Sequence, residues 1–350
     1  MSQADSRLLS DIARTDDVAG LRRLAPQVPA LLVTLVEGGQ PTQSVAKTIS
    51  AVGEAISRRL LELAEQKLGP PPVAYAFVVA GSQARREQIA GSDQDNALVL
   101  ANDFRRSEHD QYFLALARLV CEPLHDCGYA RCPGDIMASN SNWRLSLSEW
   151  QNRFRRWIEE PDPQALLRLG IFFDLRHQYG DAELVRQLRK DFLARTRAAP
   201  LFQAYLAAAA QGFRPALGWL GRLRFQRDDD GIQYLDLKPH GVQPVVEIAR
   251  THTLAMGIDC LNTVERFQAL RATGEFDSGE IDGLLTAFDL INALRQSHQV
   301  RRIRAGLQPD YRVPGQELSA ADRRGLKQAF RVISAAQQAL LRRYRAEEFR

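Results

Sequence analysis

One glycine followed by three prolines, Gly69-Pro70-Pro71-Pro72, divides the chain into two segments of different periodicity. Before this run, apolar residues recur about every 3.6 residues from Leu8 to Leu68, which predicts amphipathic helices. Proline ends such a helix because its ring removes the amide hydrogen and clashes with the preceding turn. We therefore expect an N-terminal helical region over residues 1–70 and a different kind of structure beyond it.

The segment after the prolines predicts a small sheet. Residues 74–80 (AYAFVVA) and 96–100 (NALVL) are apolar runs of strand length, and residues 134–138 are a third candidate strand. A polar stretch punctuated by glycine separates the first two strands. Helical periodicity returns over residues 110–124.

From residue 145 onward nearly the whole chain shows helical periodicity, interrupted by a charged turn that predicts a short hairpin near residues 232–237. The fold class is therefore α+β, with a small mixed-sheet core between an N-terminal helical region and an all-α C-terminal domain. We expect the sheet domain over residues 71–198 and the helical domain over residues 199–350. The predicted helices cover residues 145–159, 163–179, 182–196, 202–210, 244–257, 260–273, 278–306 and 319–346.

Composition excludes several classes of protein. No run of about 18 apolar residues is present, so we expect no membrane span. The first residues lack the features of a signal peptide and the chain has four cysteines, which together predict a cytoplasmic protein. The net charge of +4 and the pI near 9.0 favour a polyanionic ligand such as a nucleotide. The sequence has no dense basic stretch with interleaved aromatic residues, so we expect no nucleic-acid partner.

Three of the cysteines, Cys121, Cys127 and Cys132, lie near His125 in the sequence and raise the question of a zinc site. Their spacings match no standard zinc motif, whereas free buried cysteine is common in proteins. The histidines form no metal-binding pair in the sequence. We therefore expect neither a zinc site nor hydrolytic histidine chemistry.

The polar stretch after the first strand combines features of a phosphate site. A buried strand is predicted to end at Ala80, and Gly81-Ser82 predicts a tight turn that opens a helix. The first turn of a helix presents unpaired backbone amides and the positive end of the helix dipole, which together bind phosphate. Ser82 adds a hydroxyl donor, and Arg85, one turn later, can donate two hydrogen bonds to phosphate oxygens.

Two carboxylates, Asp93 and Asp95, follow at positions i and i+2. Side chains two residues apart on an extended strand project from the same face. Adjacent carboxylates repel each other unless a cation lies between them, and such hard oxygen ligands suit Mg²⁺ (or Mn²⁺) together with substrate phosphates. The string Ser-Asp-Gln-Asp-Asn is also typical of a turn before a strand, so the spacing alone leaves both interpretations open.

Gly-Ser followed eleven residues later by Asp-x-Asp resembles the signature of the polymerase-β-type nucleotidyltransferase superfamily. The full string from Gly81 to Asn96 resembles one branch of it, the nucleotidyltransferases related to protein-PII uridylyltransferase. Members of that branch often carry CBS or cyclic-nucleotide-binding modules, whereas helical segments precede the sheet here, and they often have glycine where Ala84 stands. Other stretches that resemble the branch cover residues 134–143, 172–181, 236–250 and 262–266.

The resemblance implies an enzyme that transfers an NMP group from a nucleoside triphosphate to a hydroxyl of a protein or small molecule, with release of pyrophosphate. It implies that Asp93 and Asp95 hold the metal ions. It also implies a C-terminal substrate-binding domain in which Lys238 contacts a nucleotide phosphate, with Arg250 and Arg266 as further candidates for that role. The implied nucleotide contacts in the sheet domain are Gly81, Ser82, Arg85, Glu87, Gln88 and Asn96.

Three questions stay open at this point. The third catalytic carboxylate is either Asp174 or Asp135. Asp174 precedes Arg176 in a stretch that resembles the uridylyltransferases, but it is equally typical of a helix-surface acid paired to a neighbouring arginine. Glu87 and Gln88 contact the base, brace Arg85, or are simply first-turn helix residues favoured by the helix dipole. Finally, the chain is either an active transferase or a nucleotide-binding regulatory module that has lost turnover.

Overall fold

The computed structural model describes residues 3–162, 166, 170–218 and 221–349. The chain forms two compact units. The first unit comprises Met1–Arg155 and Ile171–Phe192, and the second comprises Arg156–Gly170 and Leu193–Arg350. A small mixed sheet and an overall helix content of 64% confirm the predicted α+β class.

The N-terminal helices pack in the same unit as the sheet. The 27-residue helix α4 lies against α6, and it also contacts the sheet edge, where Nη2 of Arg58 donates to the carbonyl oxygen of Gln178. The helices of the first unit are α1 (Gln3–Ala13), α2 (Val18–Leu24), α3 (Gln27–Glu37), α4 (Thr42–Leu68), α5 (Gly81–Ala84) and α6 (Arg106–Asp126), and both α7 (Leu147–Glu159) and α8 (Ala182–Arg197) begin there and end in the second unit.

The predicted strands at residues 74–80 and 96–100 are confirmed as β1 (Tyr75–Val79) and β3 (Asn96–Leu100). They pair antiparallel, with Val79 opposite Asn96, and every residue of both strands is buried. Burial on both faces explains why these strands are continuously apolar in sequence. The sheet order is β5-β3-β1-β6, with β5 (Arg144–Ser146) parallel to β3 and β6 (Arg176–Gly180) antiparallel to β1.

Two predicted elements are wrong. Residues 134–138 form a loop, and the neighbouring strand is β4 (Ala130–Arg131), which pairs parallel to β2 (Asp93–Gln94). The helix predicted over residues 163–179 lies partly outside the described residues. Its C-terminal part is a 3-10 turn over Gly170–Phe173 followed by β6, because pairing with β1 determines the conformation of this edge segment.

The second unit is mainly helical around one apolar core, in which Leu237, Ile291, Phe330 and Ile333 are fully buried. It also contains a three-stranded antiparallel sheet, β7-β8-β9, so the C-terminal region is not all-α. Its strands are β7 (Gln226–Arg227), β8 (Gln233–Asp236) and β9 (Arg312–Pro314). Its helices are the ends of α7 and α8, α9 (Pro200–Ala209), α10 (Gln243–Met256), α11 (Thr263–Ala272), α12 (Ser278–Arg304) and α13 (Ala320–Arg343).

Within the part of the chain that the structure describes, no helix is both long enough and apolar enough to cross a membrane.

Candidate functional site

The Gly-Ser turn lies directly against the second aspartate of the Asp-x-Asp motif. The amide of Ala80 donates to the carbonyl oxygen of Asp95 at 2.8 Å, which continues the β1–β3 ladder beyond Val79. Gly81 has a φ of +56°, and a Cβ atom added there would lie 3.1 Å from Oδ2 of Asp95 and 2.7 Å from Cδ1 of Ile171. Glycine is therefore required both by the left-handed backbone and by the space beside the carboxylate.

Asp93 and Asp95 converge with a cysteine that no sequence motif assigns to this site. A carboxylate oxygen of each aspartate and Sγ of Cys132 all lie within 4.8 Å of one another. The Cys132 thiol donates a hydrogen bond to Asp95, and its pKa is raised to about 12 by burial, then by the negative charge of Asp95 and by this hydrogen bond. The thiol is therefore protonated beside the carboxylates at neutral pH.

The position of Cys132 follows from strand pairing. The parallel β2–β4 register places Asp93 opposite Ala130 and Gln94 opposite Arg131, so the next pair in the sequence is Asp95 and Cys132. No feature of the sequence marks the two-residue strand β4, and for that reason the sequence groups Cys132 only with Cys121, Cys127 and His125. Among the described residues, those three do not belong to the group around the aspartates.

Asn96 anchors the loop that follows Cys132. Its backbone amide donates to the carbonyl oxygen of Ile136 at 3.1 Å, and its Oδ1 accepts from the amide of Ala138 at 2.8 Å. Its Nδ2 donates to Gln94 at 3.3 Å, and the Cys121 thiol donates to its Oδ1 at 3.4 Å. The Asn96 side chain therefore contacts the loop and the core, not the space beside Asp95.

Arg85 and Asp174, both predicted site residues, form a buried ion pair. Nη1 of Arg85 donates to Oδ2 of Asp174 at 2.7 Å, and Nε donates to Glu87 at 2.7 Å. Asp174 is fully buried and Arg85 is 5% exposed. Glu87 thus braces Arg85. Two nitrogens of the Arg85 guanidinium, which the sequence predicts to bind phosphate, donate to carboxylates instead.

Neither candidate for the third catalytic carboxylate joins Asp93 and Asp95 within the described residues. Asp174 pairs with Arg85, and it is a buried side chain, not a helix-surface acid. Asp135 has a φ of +53° in the loop after β4, where its Oδ2 accepts from Nδ2 of Asn140 and its carbonyl oxygen accepts from Nε1 of Trp143. Both contacts stabilise that loop.

The remaining predicted residues of the first unit lie around the same turn. Ser82 is partly exposed in the first turn of α5. Gln88 is buried, and its Nε2 donates to the carbonyl oxygen of Asp93 at 3.4 Å, which links it to the acidic motif through the backbone. Arg176 closes the other end of α5 by donating to the carbonyl oxygens of Gln83 and Ala84.

The candidate residues of the second unit differ in exposure. Lys238 is partly exposed, with Nζ 5.0 Å from the centre of the Tyr311 ring. Arg250 and Arg266 are each only 1% exposed, so neither is a helix-surface arginine. Arg250 donates to Glu247 at 2.6 Å, and Nε of Arg266 donates to the carbonyl oxygen of Cys260 at 2.9 Å.

Comparison with known families covers most of the chain. Residues 26–164 match the family described as Putative nucleotidyltransferase DUF294, and residues 200–344 match the family described as Putative nucleotidyltransferase substrate binding domain. The two matches are similar to the two parts of one arrangement, a nucleotidyltransferase region followed by its substrate-binding domain. The first match spans the Gly-Ser turn, both aspartates and Cys132, and it begins before α3. The second match spans Lys238, and no curated protein matches the chain.

These two matches support a general nucleotidyl-transfer role together with a substrate-binding C-terminal region. The uridylyltransferase-like specificity and the dependence on Mg²⁺ remain predictions that need their own tests.

Proposed function

We propose that this protein is a divalent-cation-dependent nucleotidyltransferase that moves an NMP group from a nucleoside triphosphate to a hydroxyl of a protein or small molecule. UTP is the first nucleotide to test, because the Gly81–Asn96 string and the later stretches resemble the protein-PII uridylyltransferase branch. The metal ligands in this proposal are Asp93 and Asp95, and the phosphate turn is Gly81-Ser82.

The observation that carries the proposal is the contact between the turn and the acidic pair. A Cβ atom added at Gly81 would lie only 3.1 Å from Oδ2 of Asp95, so the first residue of the turn lies directly beside the second carboxylate. A triphosphate bridged to a divalent cation needs both groups, because amides bind its oxygens and carboxylates bind its cation. A turn that only connects two strands and binds nothing does not require a glycine packed against a carboxylate.

The donor set fits a divalent cation. Two carboxylates that converge within 4.8 Å repel each other, and a cation between them removes that repulsion. Mg²⁺ is commonly held by one or two carboxylates plus substrate phosphates, so Asp93 and Asp95 suffice for it without the thiol. When bound, such a cation supplies positive charge that stabilises the developing negative charge on the phosphate oxygens.

The protein residues then bind and orient the substrate. Backbone amides at Gly81 and Ser82 and the Ser82 hydroxyl donate to triphosphate oxygens. Arg85, held by Asp174 and Glu87, fixes the C-terminal end of the turn. We therefore assign Arg85 and Asp174 as positioning residues of the turn, with Lys238 as a candidate phosphate contact from the substrate-binding region.

The reaction forms one bond and breaks one bond. The acceptor oxygen attacks the α-phosphorus, the bond from that phosphorus to the oxygen of the leaving pyrophosphate breaks, and the acceptor's hydroxyl proton passes to solvent. The acceptor oxygen must be held about 3–3.5 Å from the phosphorus in line with the leaving oxygen. In this proposal, the C-terminal substrate-binding region holds the acceptor.

A second candidate function is a nucleotide-binding regulatory module without turnover. The observation that favours it is the donor set itself, because the third group beside Asp93 and Asp95 is a thiol, and Asp174 is paired with Arg85. A site with two carboxylates can bind a metal–triphosphate complex and still lack a third acid for catalysis.

One experiment separates the two functions. The full chain is incubated with each of the four nucleoside triphosphates, labelled at the α-phosphate, in Mg²⁺ or Mn²⁺ and a cell extract. Label on a protein or small molecule, together with pyrophosphate release, supports the transferase. Saturable nucleotide binding without label transfer or pyrophosphate supports the module, and the absence of any binding contradicts both.

A further inference from the structure

The thiol of Cys132 gives the acidic site a donor that Mg²⁺ does not use. Hard cations such as Mg²⁺ bind oxygen ligands, whereas thiolate ligands select Zn²⁺ and other soft or borderline metals. Asp93 lies on β2, Asp95 directly follows β2 and Cys132 directly follows β4, and one sulfur and two oxygen atoms of these residues lie within 4.8 Å of one another. This mixed set differs from an acidic cluster, because its third donor discriminates between metals.

We propose that Asp93, Asp95 and Cys132 form a Zn²⁺ site that overlaps the catalytic cation site, and that Zn²⁺ bound there inhibits nucleotidyl transfer. The zinc site stands on the donor geometry alone. The inhibition rests on the function proposed above, because it requires that the same two aspartates serve the catalytic cation.

The distances allow a three-ligand zinc site after small side-chain movements. Zinc binds thiolate sulfur at about 2.3 Å and carboxylate oxygen at about 2.0–2.2 Å, so the ligand atoms of a tetrahedral site lie about 3.4–3.6 Å apart. The three donor atoms here already lie within 4.8 Å of one another. Three protein ligands leave the fourth position for water, a substrate phosphate or another ligand, as in open zinc sites.

The backbone holds Cys132 at this point from both sides. Before it, β4 pairs with β2 up to Gln94 and Arg131, the residues that directly precede Asp95 and Cys132. After it, the amide of Asp135 donates to the carbonyl oxygen of Cys132 at 2.9 Å, closing a turn with Pro133 at its second position. Asn96 then anchors the loop at Ile136 and Ala138. The sulfur is therefore placed by fixed elements and not by a free surface loop.

Zn²⁺ binding exchanges the thiol proton of Cys132 for the metal ion. The Cys132 S–H proton leaves to solvent, its sulfur binds Zn²⁺, and the two carboxylates complete the protein ligands. Both aspartates are then occupied by a metal that also holds the thiolate. The arrangement of oxygens needed for the Mg²⁺–triphosphate complex is lost, which is the physical basis of the inhibition.

The test measures metal binding without turnover. Zn²⁺ is titrated into the metal-free full chain against a coloured chelator, and Cd²⁺ is used as a spectroscopic substitute, because a cadmium–thiolate bond absorbs in the ultraviolet. Wild type should bind one ion tightly and show the thiolate band. Cys132→Ser should bind Zn²⁺ at least about tenfold more weakly, because even outer-shell partners of a metal change its affinity by about 10–100-fold. It should also lose the band.

The matched control is Cys260→Ser, which changes another partly buried cysteine that does not belong to the aspartate group. It should retain wild-type Zn²⁺ affinity and the cadmium band. A measurement on wild type alone covers the case in which Cys132→Ser does not fold: Zn²⁺ should protect Cys132 from alkylation, as read by peptide mass spectrometry. Unchanged Zn²⁺ affinity of a folded Cys132→Ser protein, or alkylation of Cys132 unaffected by Zn²⁺, would overturn the zinc site.

The two proposals fail separately. If Zn²⁺ binds through Cys132 but no nucleotide is transferred with Mg²⁺, the proposed function fails and the zinc site stands. If Mg²⁺ supports transfer and Zn²⁺ inhibits wild type and Cys132→Ser at the same concentration, the inhibitory site fails and the transferase stands. The combined proposal predicts inhibition of wild type at a Zn²⁺ concentration at least about tenfold lower than for Cys132→Ser, in line with the loss of one direct ligand.

Discussion

Nη1 of Arg85 and Oδ2 of Asp174 lie 2.7 Å apart in a buried ion pair whose partners are separated by 89 positions in the sequence. Removing one partner of such a pair leaves a buried charge without compensation, which costs about 3–5 kcal/mol. Because Arg85 keeps its ion pair with Glu87 in Asp174→Asn, we expect this variant to lower the free energy of unfolding by the lower end of that range, about 3 kcal/mol, measured by urea denaturation. Replacing a catalytic carboxylate that lacks this structural contact would lower activity and leave the free energy of unfolding nearly unchanged.

The control for this prediction is Glu183→Gln, which removes one partner of the exposed Arg186–Glu183 pair on α8. Surface pairs contribute little to stability, so this variant should unfold at the wild-type urea concentration. If Asp174→Asn also unfolded there, the Arg85–Asp174 contact would not be a structural element of the turn.

Gly81→Ala tests whether the turn needs space beside Asp95. The substitution adds about 1–2 kcal/mol of left-handed backbone strain and places a methyl group 3.1 Å from Oδ2 of Asp95 and 2.7 Å from Cδ1 of Ile171. Gly39→Ala is the matched control, because Gly39 has a φ of +70° and nothing within 4 Å of the added Cβ. Both variants should lose similar stability from backbone strain, and only Gly81→Ala should lose metal-dependent nucleotide binding in calorimetric titration. Equal binding by the two variants would contradict the role of this contact.

The positions of the two central strands are predictable from sequence because Tyr75–Val79 and Asn96–Leu100 are apolar on both faces, and a buried strand needs little else. The strand β6 is not predictable in this way. Arg176–Gly180 is polar and only partly buried, and its extended form depends on pairing with β1, a contact about 100 positions away in the sequence.

The same division holds for the site. That Gly81 lies beside Asp95 is predictable from the sequence, because the two residues flank the paired ends of adjacent strands, whereas their phosphate and metal roles rest on the family resemblance. Cys132 and the Arg85–Asp174 pair depend on tertiary contacts that no local pattern encodes. For that reason the sequence predicts Arg85 as a phosphate ligand and Asp174 as a catalytic carboxylate, although the structure pairs them with each other.

The buried His252 makes the free energy of unfolding depend on pH. Burial, and then the positive charge of Arg343, lower its pKa from 6.5 to about 3, and its Nδ1 lies 2.9 Å from the Tyr344 hydroxyl. Between pH 6.5 and 3 the unfolded chain binds this proton and the folded chain does not. Stability is therefore lost as the pH falls through that range, by at most about 1.4 kcal/mol per pH unit from this group.

His252→Gln removes this titration and should flatten the dependence of the urea midpoint on pH between 6.5 and 4. His125→Gln is the control, because His125 is exposed and its replacement should leave the wild-type pH dependence unchanged. A wild-type slope that persists in His252→Gln would place the acid sensitivity in other groups.

Asp93→Asn and Asp95→Asn should both fold as wild type, because each removes one member of a mutually repulsive pair at a site where Asp93 is partly exposed. Each variant should lose most of its divalent-cation-dependent nucleotide affinity, measured by calorimetry with a non-hydrolysable triphosphate in the presence and absence of Mg²⁺. Wild-type affinity in a folded variant would remove that aspartate from the metal site.

The most direct test of the central claim uses two positions of the label on the same nucleotide. The full chain is incubated with an acceptor-containing extract, Mg²⁺, and the triphosphate labelled either at the α-phosphate or at the γ-phosphate. Nucleotidyl transfer predicts that α-label moves to the acceptor and γ-label appears in pyrophosphate, and that both signals vanish in the Asp93→Asn/Asp95→Asn double variant. Label transfer from the γ-position, or undiminished α-label transfer by the folded double variant, would contradict the account.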